Sequence, residues 1–136
     1  MKRLDYTNID EVRPFLSRYG YNEFNCNIVT LMMWQEVYPF YYEIKEHYMV
    51  AYWYFDHHFH WMMPMCDDQY LDEALSYMIT YSNTHNQEFM MVAVVEDFLK
   101  RIKSSQYSFI HRFEVDAGDY IYDASMHRSL TGKKMQ

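Results

Sequence analysis

Phe59-His60-Trp61-Met62-Met63-Pro64-Met65-Cys66-Asp67-Asp68-Gln69-Tyr70-Leu71 is the stretch whose reading decides the fold. Phe59 to Met63 is a short apolar run of strand length. Pro64, which has no backbone N–H to give a ladder, stops it. Asp67 or Asp68 then caps a helix that runs to about Thr84, because Leu71, Ala74, Leu75, Met78 and Ile79 fall on one helical face.

Upstream, Phe40, Tyr42 and Ile44 alternate with Tyr41, Glu43 and Lys45, a half-buried strand. Tyr48 to Phe55 is apolar on both faces and reads as a central strand. His47 marks one turn and Asp56-His57-His58 the next, so the three strands form an antiparallel meander. Two helices precede them. The first spans Ile9 to Tyr19, with Val12, Phe15, Leu16 and Tyr19 on one face, an Asn8/Glu11 capping box and Gly20 at its far end. Pro14 lies inside it and predicts a kink or a second helical start. The second runs from about Asn27 to Val37, capped by Asn25 or Asn27 and ended by Pro39. Ile28, Leu31, Met32 and Gln35 lie on one face and Met33, Trp34 and Val37 on another, which predicts a helix buried between layers.

Downstream, Phe89 to Val95 is a buried strand, and Val95, Phe98, Leu99 and Ile102 define a short helix. Tyr107 to Val115 is a further strand and Tyr120-Ile121-Tyr122 a last short one; Ser125 to Leu130 reads as a helical turn. The order α-α-β-β-β-α-β-α-β predicts an α/β (α+β) chain with a mixed sheet flanked by helices. With 136 residues and no internal repeat or linker, residues 1–136 read as a single domain.

Composition narrows the class. The 15 Tyr, 9 Phe and 3 Trp against 3 Gly and 3 Pro exclude a disordered chain. There is no apolar run of about 18 residues, and the N-terminus lacks the apolar segment of a secretion signal. Cys26 and Cys66 make no disulfide framework, so a reducing cytoplasm is the expected location. Charge is uneven: residues 1–99 carry 5 basic and 15 acidic side chains, residues 100–136 carry 7 and 4. The basic end either faces an anion or is a solvated tail and helix face.

The element order is similar to that of the acetyltransferase-like fold of the Gcn5-related N-acyltransferases. That resemblance implies a pyrophosphate cradle between the third meander strand and the next helix, where glycines let backbone N–H groups approach. Met62 to Asp68 has no glycine, and its two aspartates repel phosphate, so coenzyme A is not expected there. Zinc could be held by His57, His58 and His60 with Cys66 and Asp67. The spacing matches no recurrent zinc motif, and a polar turn entering a strand explains the same residues. Cys26 at a helix N-terminus has no legible partner base, and both cysteines read as packing residues. The methionine pairs 32–33, 62–63 and 90–91 read as core rather than a pliable groove. Tyr48, Tyr52, Trp53 and Tyr54 could stack bases, but their segment is acidic.

Arg112-Phe113-Glu114-Val115-Asp116-Ala117-Gly118-Asp119-Tyr120-Ile121-Tyr122, leading into Leu130-Thr131-Gly132-Lys133-Lys134, resembles the family named for the C-terminal domain of phosphatidylglycerol lysyltransferase. Trp34 with Tyr38 and Pro64 fit the same family; Gln35 departs from it, since members often carry Arg there. The resemblance covers nearly the whole chain and the first half of the family's length. It implies aminoacyl transfer from aminoacyl-tRNA to a lipid head group by two fused acetyltransferase-like domains, with the reaction channel mainly in the second. The expectation is therefore an N-terminal scaffold half, not active alone. It would join a second acetyltransferase-like domain, or a second copy of itself, through a sticky C-terminal seam. Asp119, Tyr120, Ile121, Tyr122, Gly132, Lys133 and Lys134 would form that junction. Arg112, Lys133 and Lys134 are the candidate contacts to tRNA phosphate or anionic lipid in the completed protein, and Arg112 a candidate partner of Asp119. A stand-alone acyltransferase and a metal-binding module are the alternatives. No residue is singled out as catalytic, cofactor-binding or metal-ligating, and no cofactor is expected.

Overall fold

The computed structural model describes residues 1–19, 28–34, 36–103, 105, 109–114 and 118–123. Strand β3 (Tyr48–Phe55) shows how the architecture arises from the sequence. Its side chains alternate between two apolar clusters: Tyr48, Val50 and Tyr52 enter one, Met49 and Ala51 the other. A strand buried on both faces needs a helical layer on each side. Helices α1 (Ile9–Tyr19) and α2 (Ile28–Trp34) supply one, with Val12, Leu16 and Leu31 packed on Phe40, Tyr42 and Met49. Helices α3 (Leu71–Thr84) and α4 (Glu96–Ile102) supply the other, with Leu75, Met78 and Phe98 packed among Tyr52, Trp61 and Met91. Each such large apolar side chain contributes about 1.5–3 kcal/mol on burial.

The remaining strands are β1 (Lys2–Arg3), β2 (Phe40–Ile44), β4 (His58–Trp61), β5 (Met65–Cys66), β6 (Met90–Val92), β7 (Phe109–Glu114) and β8 (Gly118–Asp123). They form one mixed sheet in the order β1-β2-β3-β4-β6-β8-β7, with β5 beside β3. The pairing is antiparallel throughout the described ladders except between β4 and β6, where Trp61 meets Met91 in parallel. The expected meander, helix, strand and helix are all present. The element order expected from sequence lacks β1 and β5, whose two-residue pairings carry no periodicity to read, and ends on one strand where the structure has two, β7 and β8.

The third meander strand does end before Pro64, at Trp61, but pairing with β3 resumes beyond the proline as β5. From Phe55↔His58 to Tyr52↔Trp61, and on through the Met62 N–H to Ala51 O bond of 2.9 Å, the paired residue numbers keep one register. At Met49↔Met65 and Tyr48↔Cys66 that register has slipped by one. One extra residue is therefore accommodated around Met63-Pro64, a β-bulge, where proline's missing N–H is tolerated. The burial pattern records the slip: Met62 and Met65 share one cluster and Met63 and Cys66 the other, three residues apart instead of two.

Other local expectations are corrected. Helix α1 runs through Pro14 without a break. Asn8 and Glu11 do not close a capping box. Asn8 Oδ1 accepts the Asp5 N–H at 2.9 Å and its amide donates to the Arg3 carbonyl at 2.8 Å, while the Asp5 carboxylate takes the Thr7 N–H at 2.7 Å. Glu11 accepts instead from Lys2 Nζ and the Tyr42 hydroxyl. Asp67 and Asp68 cap no helix with their side chains; a single 3-10 turn, Asp68–Tyr70, leads into α3. Strand β6 is shorter than its apolar run, because Ala93 takes a positive φ of 54° and turns the chain. The second face of α2 is not buried: Val29, Met33, Trp34 and Val37 are exposed. Gly20, Asn25, Cys26, Asn27, Gln35, Tyr107, Val115 and residues 125–130 lie outside the described residues.

Candidate functional site

The junction between β5 and α3 is where the third meander strand feeds the next helix, the place the resemblance marks for an anion. The backbone leaves β5 at Cys66, passes through Asp67 in an extended conformation and enters the 3-10 turn. Four carboxylates, those of Asp67, Asp68, Asp72 and Glu73, occupy the turn and the first turn of α3. They already place negative charge at the positive end of the helix dipole. Arg101 of α4 closes the junction from the side. Its Nε donates to Asp68 Oδ1 at 2.6 Å and its Nη2 to the Cys66 carbonyl at 2.8 Å, and its side chain is largely buried. This forked clamp holds backbone and carboxylate together where a phosphate would need free N–H groups. The Cys66 carbonyl and the Asp68 carboxylate at the junction are thus taken up by Arg101.

Beside it opens a cleft of about 380 Å³ between α1, the β2–β3 turn and the start of α3. Pro14, Phe15, Arg18 and Tyr19 form one wall, Glu46 and His47 the second, and Asp67, Gln69 and Tyr70 the third. The His47 and Tyr70 rings stack at 4.1 Å and 8°. The Tyr19 hydroxyl donates to Asp67 Oδ1 at 3.2 Å; burial, with Arg18 opposing it, raises the Tyr19 pKa above its ordinary value. The Arg18 guanidinium lies 5.3 Å from the Tyr19 ring centroid. The lining carries both charge signs. The Cys66 thiol is buried, which pushes its pKa up to about 11 although Arg101 pulls it down. A thiol held protonated is not a nucleophile at neutral pH.

The zinc alternative separates in space. His57 sits in the tight β3–β4 turn, with Asp56 and His57 both at positive φ. His60 is buried, its ring stacked on Phe55 at 3.7 Å. Cys66 and Asp67 lie about 20 Å further along an extended chain. Among the described residues no three metal-binding side chains come together.

The family-motif residues fall on an interior strand. β8 lies between β6 and β7, with Met90↔Tyr122, Met91↔Ile121 and Val92↔Tyr120 on one side. On the other, Arg112 stands opposite Tyr120 and Asp119 opposite Phe113. Arg112 and Asp119 thus occupy neighbouring rungs of the ladder, not the same one. Gly132, Lys133 and Lys134 lie outside the described residues. Arg101 was not singled out in the sequence; nothing in its local pattern distinguishes it from the other cations after residue 99.

No described helix is long and apolar enough to cross a membrane. The family model described as "Phosphatidylglycerol lysyltransferase, C-terminal" matches residues 18–136. No curated protein matches the chain. Among solved structures, the chain is similar to the crystal structure of a conserved protein of unknown function from Bacteroides thetaiotaomicron VPI-5482. The TM-score is 0.61 and the identity 19%, over 81% of this chain and 38% of that one. At that identity the likeness concerns the fold, and the chain spans little more than a third of that relative's length.

Proposed function

Because the chain belongs to the family named for the C-terminal domain of phosphatidylglycerol lysyltransferase, we propose that it is the N-terminal scaffold half of an aminoacyltransferase-like protein, inactive by itself. The observation that carries this reading is the Arg101 clamp. It fills the β5–α3 junction with a carboxylate–guanidinium pair where an acyl-CoA enzyme would hold pyrophosphate. An acetyltransferase-like fold is supported by the sheet order and by the parallel β4–β6 pair inside an otherwise antiparallel sheet.

In this reading residues 1–136 form one acetyltransferase-like domain that works with a second. Asp119 to Tyr122 and Gly132-Lys133-Lys134 belong to the junction. Arg112, Lys133 and Lys134 meet tRNA phosphate or an anionic lipid head group only in the completed, cytoplasmic protein. The stand-alone acyltransferase reading has the parallel pair and the neighbouring cleft in its favour and the clamp against it.

Calorimetric titration of the chain with acyl-CoA and with aminoacyl-tRNA separates the readings. The scaffold reading expects no saturable heat with acyl-CoA, and aminoacyl-tRNA binding only once a second acetyltransferase-like domain is added. Saturable acyl-CoA binding by the chain alone would sink it.

A further inference from the structure

Helix α2 is short, and among its described apolar side chains Leu31 and part of Met32 face the core. Its outer surface is apolar and open to water: Val29 is 61% exposed, Met33 69%, Trp34 48% and Val37, just beyond the helix, 59%. Tyr38 packs on Trp34 at 6.1 Å and on Phe55 at 4.9 Å, and both Tyr38 and Phe55 are themselves exposed. On the other flank Tyr6, 84% exposed, borders a groove of about 330 Å³ together with Ile9, Val29 and Met33. A continuous apolar surface therefore runs from Tyr6 across α2 to the end of β3. With large side chains offering about 150–250 Å² each, its seven residues leave on the order of 700 Å² exposed. Monomeric proteins rarely expose that much contiguous apolar surface without a partner.

We propose that this face is the interface between two copies of the chain, related by a two-fold axis. Three features favour a second copy. The exposed area approaches the roughly 800 Å² per partner that a stable interface covers. The patch holds both halves of a self-complementary fit: a ridge on α2, Val29 and Met33 four residues apart with Trp34 beside Met33 and Val37 just past the helix end, and a groove next to that ridge. An isologous contact requires both on one surface, and ridges at four-residue spacing interdigitate in the commonest mode of helix packing. The cation bordering the groove, Arg13, already lies 3.7 Å from Asp10, so excluding water strands no charge there. Trp34 and Met33 are the side chains expected to anchor the contact.

This face, on α2 and the end of β3, does not include Asp119 to Tyr122 of β8, so it and the scaffold reading can fail separately. The test is sedimentation equilibrium of the 136-residue chain from about 1 to 100 μM, a range spanning micromolar affinity. The wild type is expected to reach twice the chain mass. Met33→Lys and, separately, Val37→Lys are expected to stay monomeric with unchanged far-UV circular dichroism melting, since both positions face water in the monomer. A wild type that remains monomeric at the top concentration overturns the proposal. So does a dimer that survives both substitutions in folded protein.

Discussion

Replacing Ser82 with alanine tests how the core is ordered around Trp61. The Trp61 indole Nε1–H donates to Ser82 Oγ at 2.7 Å, and both residues are fully buried. Alanine leaves that N–H in the core with no water to take it, at a cost of about 1–3 kcal/mol. The better helix propensity of alanine returns about 0.5 kcal/mol. The Ser82 carbonyl, which receives the His85 and Gln87 N–H groups, is untouched. The net loss is about 0.5–2.5 kcal/mol. For a chain of this size the urea slope is about 1.5 kcal/mol per molar, so the unfolding midpoint should fall by about 1 M. Tryptophan fluorescence and far-UV circular dichroism in parallel urea titrations read it. The partner step is Trp61→Phe, which removes the donor. In that background Ser82→Ala should cost little, because the serine hydroxyl can only bond back to its own helix. A midpoint shift under about 0.3 M, or single-substitution costs that add within about 0.5 kcal/mol in the double variant, refutes the buried bond as an organising contact.

Other expectations are as direct. His57→Gly should raise the melting temperature, because φ of 64° costs a non-glycine residue about 1 kcal/mol and glycine adopts it freely; an unchanged or lower value refutes it. Burial lowers the pKa of His60, with the His58 carbonyl opposing. The unfolded state then binds more protons than the native one, so stability is full above the unfolded value of about 6.5 and falls as pH drops below it, by at most about 1.4 kcal/mol per pH unit. His60→Phe should flatten that decline between about pH 7.5 and 5.5, well above the range in which the lowered carboxylates of Asp5 and Glu11 titrate. The Cys66 thiol, pushed up to about 11 by burial, should react with maleimide at pH 8 only after denaturation in a Cys26→Ser background; labelling of the native protein within minutes counts against it.

Much of the architecture was legible because burial is periodic. The α3 stripe from Leu71 to Ile79 repeats at 3.6 residues and the strand Tyr48 to Phe55 is apolar on both faces; the structure buries that stripe and Tyr48 to Tyr52, while Tyr54 and Phe55 at the strand's end are exposed. The bulge was not legible. Proline in an apolar run has the same local signature whether the strand ends or takes in an extra residue, and only the pairing with β3 distinguishes them. The exposed face of α2 was misread for a related reason: sequence shows that Met33, Trp34 and Val37 are apolar but not whether anything covers them. At the candidate site, the absence of glycine and the run of aspartates were readable between Met62 and Asp68. Arg101 was not, since it arrives from 33 residues beyond Asp68 through tertiary packing.

The bulge at Met63-Pro64 sets the phase of everything after it. Met65 enters the α1–α2 cluster, Cys66 enters the α3–α4 cluster, and the Cys66 carbonyl meets Arg101 because of that one extra residue. Removing it would exchange the two side chains between faces and pull the clamp's carbonyl out of reach. The segment is therefore permissive in chemistry and strict in length. Engineering a nucleotide-binding loop here would mean keeping the residue count from Met62 to Leu71 fixed, supplying glycine at Asp67 or Asp68, and removing Arg101 along with the carboxylate it holds.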